Sequence, residues 1–206
     1  MDSPKRYNHK VVGIDLAGSP KRDTGICTLK KDNVTSCTIL HTDQEIIDYI
    51  EKENPALIAV DAPLNLPPGR KSIQVKNGEH FRPCDRELLK RGIRFFPITL
   101  GPMRSLTKRG IHLRRILTRR GCSVIEVYPG AAQDIWHIGR KQEGLSKLRR
   151  GLEKLGIKGL SRKMDGDELD AVTAAVVGQL FLRAEAEVLG NFKQGAIVIP
   201  YPKERT

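Results

Sequence analysis

The chain has 206 residues and a formal net charge of +12, from 36 Lys plus Arg against 24 Asp plus Glu. That length suits one α/β domain with a substantial core, or one domain carrying an insertion. Cys27, Cys37, Cys84 and Cys122 lie far apart with no C-x-x-C pair, which argues against a zinc ribbon and a disulfide scaffold.

The chain opens on a buried strand over 10–17, in which Val11 to Asp15 read V-V-G-I-D. A short apolar run of this kind marks a strand in the middle of a sheet. Thr24 to Leu29 and Val34 to Leu40 form two further strands, joined by the polar turn Lys30-Lys31-Asp32-Asn33. Thr42 or Asp43 caps a helix over 43–53 that carries Ile46, Ile47 and Ile50 on one face. Asn54-Pro55 ends it, and L-I-A-V-D at 57–61 follows as a strand. A strand–helix–strand step of this length implies a right-handed parallel crossover.

From Ala62 to Gly101 the periodicity dissolves among prolines and glycines, with a short helix expected over 84–91. A long irregular stretch inside a compact domain is usually functional or mobile. Ser105 to Arg120 can form a basic helix, with Leu106, Ile111, Leu113, Ile116 and Leu117 inward and Arg114, Arg115, Arg119 and Arg120 largely outward. Gly121 stops it. Residues 122–128 form the next strand, and helical segments follow near 131–138 and 145–155. The last helix is expected from about 166 to 189, with Asp165 or Asp167 as its cap. Ala196 to Ile199 can add a short strand. Ala171 to Leu182, the longest apolar stretch, is too short to span a bilayer and is interrupted by Gly178 and Gln179. Reduced thiols and a polar N-terminus without an apolar signal region suggest a cytoplasmic protein with no membrane attachment.

Two strand-like runs thus end on an aspartate, Asp15 and Asp61, where the chain leaves the sheet, the usual place for a site in an open α/β sheet. Asp167-Glu168-Leu169-Asp170 adds a third acidic segment. Asp167 and Asp170, three apart on a helix, face the same way. Carboxylates converging from separate segments suit Mg²⁺ or Mn²⁺, which prefer hard oxygen ligands. Asp61 before Ala-Pro could also simply start a turn, and Asp167 could simply cap its helix. Glu126, flanked by Ile125 and Val127, is a fourth ligand or a plain solvent-facing residue.

The charge is concentrated. Residues 62–125 hold 15 Lys/Arg against 3 Asp/Glu, while the flanks bearing the aspartates are near neutral. A basic block beside an acidic cluster fits an enzyme that grips a polyanion and cuts it, although a solvated basic helix face would look the same. His80 and His112 stand isolated. Trp136 and Phe95-Phe96 could stack on bases but are better read as core.

Five segments carry a resemblance: G-I-D-L-A-G-S at 13–19, A-V-D-A-P-L at 59–64, R-P-C-D-R-E-L at 82–88, I-E-V-Y-P at 125–129 and D-E-L-D-A-V at 167–172. In this order they resemble a predicted-nuclease family with a ribonuclease H-like fold, catalogued as domain of unknown function 429. The resemblance covers roughly 11–185. It implies a mixed α/β sheet, three antiparallel strands then parallel ones, with helices on both faces. The whole chain, 1–206, would be a single ribonuclease H-like domain with a basic insertion at about 62–121. The resemblance further implies a metal-dependent nuclease in which Asp15, Asp61 and Asp170 are catalytic and hold the metal; Asp167 stands where related resolvases often carry a histidine and is either a further ligand or only a cap, and Glu126 remains a candidate fourth ligand from its strand pattern. Two ions about 4 Å apart would activate water and stabilise the leaving oxygen, Asp15 bridging them while Asp61 and Asp170 each hold one side. The resemblance makes Arg82, Asp85 and Arg86 a second candidate site, for a phosphate group, although a local ion pair would also account for Asp85 beside Arg82. DNA or RNA would be the partner. G-I-D-L-A-G-S also resembles the first phosphate loop of the actin, chaperone and sugar-kinase superfamily. A phosphotransferase or ATPase is therefore one rival reading, and a non-catalytic nucleic-acid-binding module another.

Overall fold

Residues 9–75 and 78–202 are described by the structure, a computed structural model. Strands β1 (Lys10–Asp15), β2 (Thr24–Lys30), β3 (Asn33–Leu40), β4 (Leu57–Asp61) and β5 (Val124–Glu126) form one sheet in the order β3-β2-β1-β4-β5. The first three strands pair antiparallel, and β4 and β5 add in parallel. This is the ribonuclease H-like arrangement expected from the motif order. Helix α1 (Asp43–Glu53) makes the crossover between β3 and β4. Thr42 and Glu45 close its N-terminus reciprocally, each side chain accepting from the other's backbone N–H.

Alternation along the central strands sorts side chains into two cores. Val12, Ile14, Ile58 and Val60 pack against Ile46 and Ile50 of α1 and Leu113 and Leu117 of α3 (Gly101–Arg119). Val11, Leu57 and Ala59 point the other way, into the core that includes α5 (Leu145–Lys154) and α6 (Gly166–Leu182). The same period of two puts Gly13 and Asp15 on the face of Val11, and Asp61 on the face of Leu57 and Ala59. Both strand-end aspartates therefore lie on the α6 side of the sheet.

Helix α6 is apolar nearly all round, as a fully enclosed helix should be, and it lies directly on the sheet backbone. A Cβ added at Gly13 would stand 2.0 Å from the carbonyl oxygen of Ala171, and one at Gly25 would stand 2.1 Å from that of Asp167. Only glycine permits such an approach. It delivers the first turns of α6, with Asp167 and Asp170, to the end of β1.

Three boundaries differ from the sequence reading. Helix α3 begins at Gly101 rather than Ser105, with Pro102 in its first turn, where the missing N–H costs nothing. The strand expected over 122–128 is shorter, Val124–Glu126. The last helix ends at Leu182, not 189. Ala184 adopts a left-handed backbone (φ 58°), and the chain turns back as β6 (Ala186–Asn191), paired with β7 (Gly195–Pro200). Val188 and Leu189 prolong the apolar run of the helix in sequence, but they serve a hairpin. Leu189 and Ile197 pack there on Cys84 and Leu88 of α2 (Pro83–Lys90). Helix α4 (Pro129–Trp136) follows β5, and a 3₁₀ turn covers Lys141–Glu143. Among the described residues no helix is long and apolar enough to cross a membrane.

Candidate active site

Asp15 and Asp61 end adjacent parallel strands and are direct partners in register, about 4.8 Å apart across the ladder. Both line a cavity of about 260 Å³ at this end of the sheet, together with Asp170 and Lys141. Asp170 projects from α6, and its Oδ1 accepts a 2.6 Å hydrogen bond from the Gln133 amide of α4. The same amide lies 3.2 Å from the Thr173 hydroxyl, which in turn donates to the Leu169 carbonyl. That chain fixes the carboxylate's orientation.

A residue without any sequence signal sits at the centre of the cluster. The Lys141 ammonium lies 2.9 Å from Asp15 Oδ2, 2.6 Å from Asp167 Oδ1 and 3.0 Å from Asp170 Oδ2. Asp167 is thus turned toward Lys141 and does not cap its helix. Asp165 does that, accepting from the backbone N–H groups of Asp167 and Glu168. Asp61 makes no ion pair or hydrogen bond among the described residues.

Burial dominates the electrostatics. It pushes the Asp15 carboxyl up to about 7; Lys141 opposes the shift, while Asp170 and Asp167 add to it. Asp61 is raised well above the usual carboxylate range by burial and by the neighbouring Asp15 and Asp170. Burial pulls Lys141 down, but Asp15 and Asp170 outweigh it and hold the ammonium charged. A carboxyl near 7 in the folded state and 3.8 unfolded means that the native protein holds a proton the unfolded chain has lost. Stability of the metal-free protein is therefore expected to fall as pH rises from about 4 to about 7, by at most about 4 kcal/mol at 1.36 kcal/mol per unit. Asp61 acts in the same direction. Melting temperatures in chelator should drop by several degrees between pH 5 and pH 8; a flat or rising profile would refute the coupling.

Glu126 and Arg82 belong to a different network. The Arg82 guanidinium makes a two-pronged contact with Glu126, at 2.6 and 2.8 Å, and further bonds to Asp85 at 2.8 and 3.1 Å. All three side chains are at most 5% exposed. Glu126 Oε2 also accepts from the Leu64 backbone N–H. The cavity reaches their edge, but their charges are spent on each other. Glu126 is buried rather than solvent-facing and is already engaged by Arg82 and the Leu64 N–H, and Arg82 and Asp85 are paired within the same network. Glu126 is buried because both faces of β5 are covered, so alternation has no solvent side to point to.

The remaining basic candidates scatter. Arg86 pairs with Glu79 and Arg120 with Glu51, all at the surface. Arg114 holds the chain after β4 through the Leu64 carbonyl and Asn65. Arg115 and Arg119 are exposed. Leu106 of α3 lines the cavity; Arg119 is 13 residues further along the same helix, about 20 Å away at 1.5 Å per residue. The outward arginines and the carboxylates are thus not one surface. Phe96, read as core, is 67% exposed and stands at the cavity. Phe95 is partly buried, edge-on to Phe81.

The family model described as "Protein of unknown function (DUF429)" matches residues 13–194. The chain belongs to this family. The match contains all five segments that carried the resemblance, and the four aspartates around Lys141 fall within the family's boundaries. No curated protein matches the sequence. Among solved structures, the chain is similar to RuvC from Thermus thermophilus, both in a complex with a Holliday junction substrate and in a second structure. Each aligns at 13% identity with a TM-score of 0.48, covering 85% of this chain and 96% of RuvC.

Whether the site suits a divalent metal is decided by its donor set and by the cation already seated there. Four carboxylates supply only hard oxygens, the ligands Mg²⁺ and Mn²⁺ take. Three of them close on an ammonium, a stand-in for a metal ion. Their distances to it, 2.6–3.0 Å, are those of ion pairs, wider than the roughly 2.0–2.1 Å of Mg²⁺ coordination. In keeping with this, no three His, Cys, Asp or Glu side chains among the described residues are preassembled around one metal position. The donors fit the metal in kind, and the open side of the cluster is between Asp15 and Asp61.

Proposed function

We propose that this protein is a divalent-metal-dependent nuclease that hydrolyses phosphodiester bonds at the Asp15–Asp61–Asp170 site. The observation that carries the reading is the convergence of four carboxylates, from β1, β4 and α6, at the edge of a cavity, three of them closed on a seated cation. Burial, and after it the neighbouring carboxylates, raises the Asp15 and Asp61 carboxyls, which records a cost of charging them. A divalent cation would relieve it. The net charge of +12 favours a polyanionic partner. Lys108, Arg115 and Arg119 form no ion pair among the described residues, which leaves them free to meet phosphates.

In this mechanism Asp15 and Asp61 would hold the metal. Bound there, Mg²⁺ or Mn²⁺ would supply Lewis-acid activation of a phosphoryl oxygen and of a water. Asp170, oriented by Gln133, fixes Lys141 through its second oxygen. The Asp15 and Asp170 side chains are only 15% and 10% exposed, and burial of that kind strengthens the charge interactions they make. Arg140 lines the same cavity and is held by Asp134 and stacked 5.5 Å from the Tyr128 ring, a fixed cation beside the carboxylates.

Purified protein should be incubated with duplex, single-stranded, hybrid and branched DNA and RNA, with Mg²⁺ or Mn²⁺ and with chelator. Cleavage of at least one substrate, lost in chelator, is expected. If every substrate stays intact, or binding is salt-dependent, unaffected by chelator and without cleavage, the reading fails.

A further inference from the structure

The two sides of Asp15 are not equivalent. On one side, Asp15 Oδ2, Asp167 Oδ1 and Asp170 Oδ2 all contact Lys141, and Asp170 Oδ1 is taken by Gln133. An ammonium has three N–H donors, and three carboxylates meet it. On the other side, Asp15 Oδ1 and both oxygens of Asp61 meet no cation among the described residues, although Asp61 is the register partner of Asp15 and lines the same cavity. One cation position is filled by the chain itself, and the other is open.

Lys141 is placed there by construction. Its aliphatic stem crosses the start of α6 at Gly166, where an added Cβ would stand 2.8 Å from Lys141 Cδ. A glycine at the first residue of the helix leaves room for the stem. The 3₁₀ turn at Lys141–Glu143 is closed by Glu143, which accepts from the Arg140 N–H at 3.0 Å. The side chain is 28% exposed, and its ammonium is met by three carboxylates.

We propose that Lys141 is a resident cation occupying one of the two positions where a two-metal site would place its ions, so that the protein binds one divalent metal, between Asp15 and Asp61. This rests on the metal-dependent reading above. Mg²⁺ is commonly held by one or two carboxylates, with waters and substrate phosphates completing its shell, and Asp15 with Asp61 matches that pattern. The charges agree. Four ionised carboxylates, one ammonium and one divalent ion leave a net −1, whereas a second divalent ion beside the ammonium would make the cluster net positive.

The test counts bound metal without reference to activity. Wild-type protein and Lys141→Met are equilibrated with Mn²⁺, and stoichiometry is read by calorimetry and electron paramagnetic resonance. One Mn²⁺ per wild-type chain and two in the variant, with spin coupling between them, are expected. Lys141→Gln, neutral but polar, gives the same readout if the methionine variant does not fold. Two Mn²⁺ in the wild type, or one in both neutral variants, overturns the proposal but leaves the metal-dependent reading standing. No Mn²⁺ bound to any of the proteins overturns both.

Discussion

An Asp15→Asn protein is expected to fold and to lose metal-dependent cleavage by about 10³-fold or more. Asp15 is the hub of the cluster: it faces Lys141 through one oxygen and shares the open side with Asp61. The amide keeps the shape and removes the charge that would hold the metal. Metal activation of this kind contributes several kcal/mol to the transition state, and each 1.36 kcal/mol is tenfold in rate. The fold should not suffer, because the native state already disfavours the ionised form of this carboxyl, pushed up to about 7 by burial. The variant should therefore match or exceed wild-type stability at pH 8 and show a flatter profile between pH 5 and pH 8. Single-turnover cleavage with Mn²⁺ and melting curves at the two pH values check both halves. Cleavage within tenfold of wild type would remove Asp15 from the reaction.

Arg82→Ala has the opposite profile. Arg82 contacts no group that is free for chemistry, and its loss leaves Glu126 and Asp85 buried without a counter-charge. Breaking a buried pair in this way costs about 3–5 kcal/mol, a large share of a typical domain's stability. Arg82→Lys should recover little, because a single ammonium cannot reproduce the two-pronged contact with Glu126 together with the bonds to Asp85. The sign of the pH effect is also fixed. Burial already raises the Glu126 carboxyl even with Arg82 beside it. Without the arginine it should rise further, so the destabilisation should shrink on acidification, when Glu126 can take up a proton. Denaturant melts at pH 5 and pH 8 would measure this; a loss below about 1 kcal/mol at both would mean that the network contributes little.

Much of this architecture was legible in the residues. V-V-G-I-D and L-I-A-V-D are apolar runs that end in one charge, and such runs have few uses other than central strands. The aspartates could be placed at the end of the sheet because each closes such a run, whereas their common face needed the register of the two strands. The network of Glu126, Arg82 and Asp85 was not legible, because its members are 44 residues apart or less than a turn apart, and neither spacing announces a buried pair. Lys141 was hidden for a related reason. It stands in G-R-K-Q-E, an ordinary polar stretch, and only the three-dimensional excess of carboxylates shows that some cation had to balance them. The hairpin after α6 was missed because Val188 and Leu189 suit a helix as well as a strand. The fold resolves that ambiguity by turning the two to opposite sides of the hairpin, Leu189 onto α2 and Val188 against the core that contains α6.

The glycines beneath α6 have one more consequence. Where two elements touch through side chains, the gap between them can open or close as torsions rotate. Main chain meeting main chain at Gly13 and Gly25 has no side-chain torsion between the two surfaces, so the closest approach is set by van der Waals contact of backbone atoms. The separation between the sheet and the first turn of α6 is accordingly insensitive to rotamer changes. Substitutions that loosen side-chain packing elsewhere in the core should leave Asp15, Asp167 and Asp170 in the same relation to one another for as long as the chain stays folded.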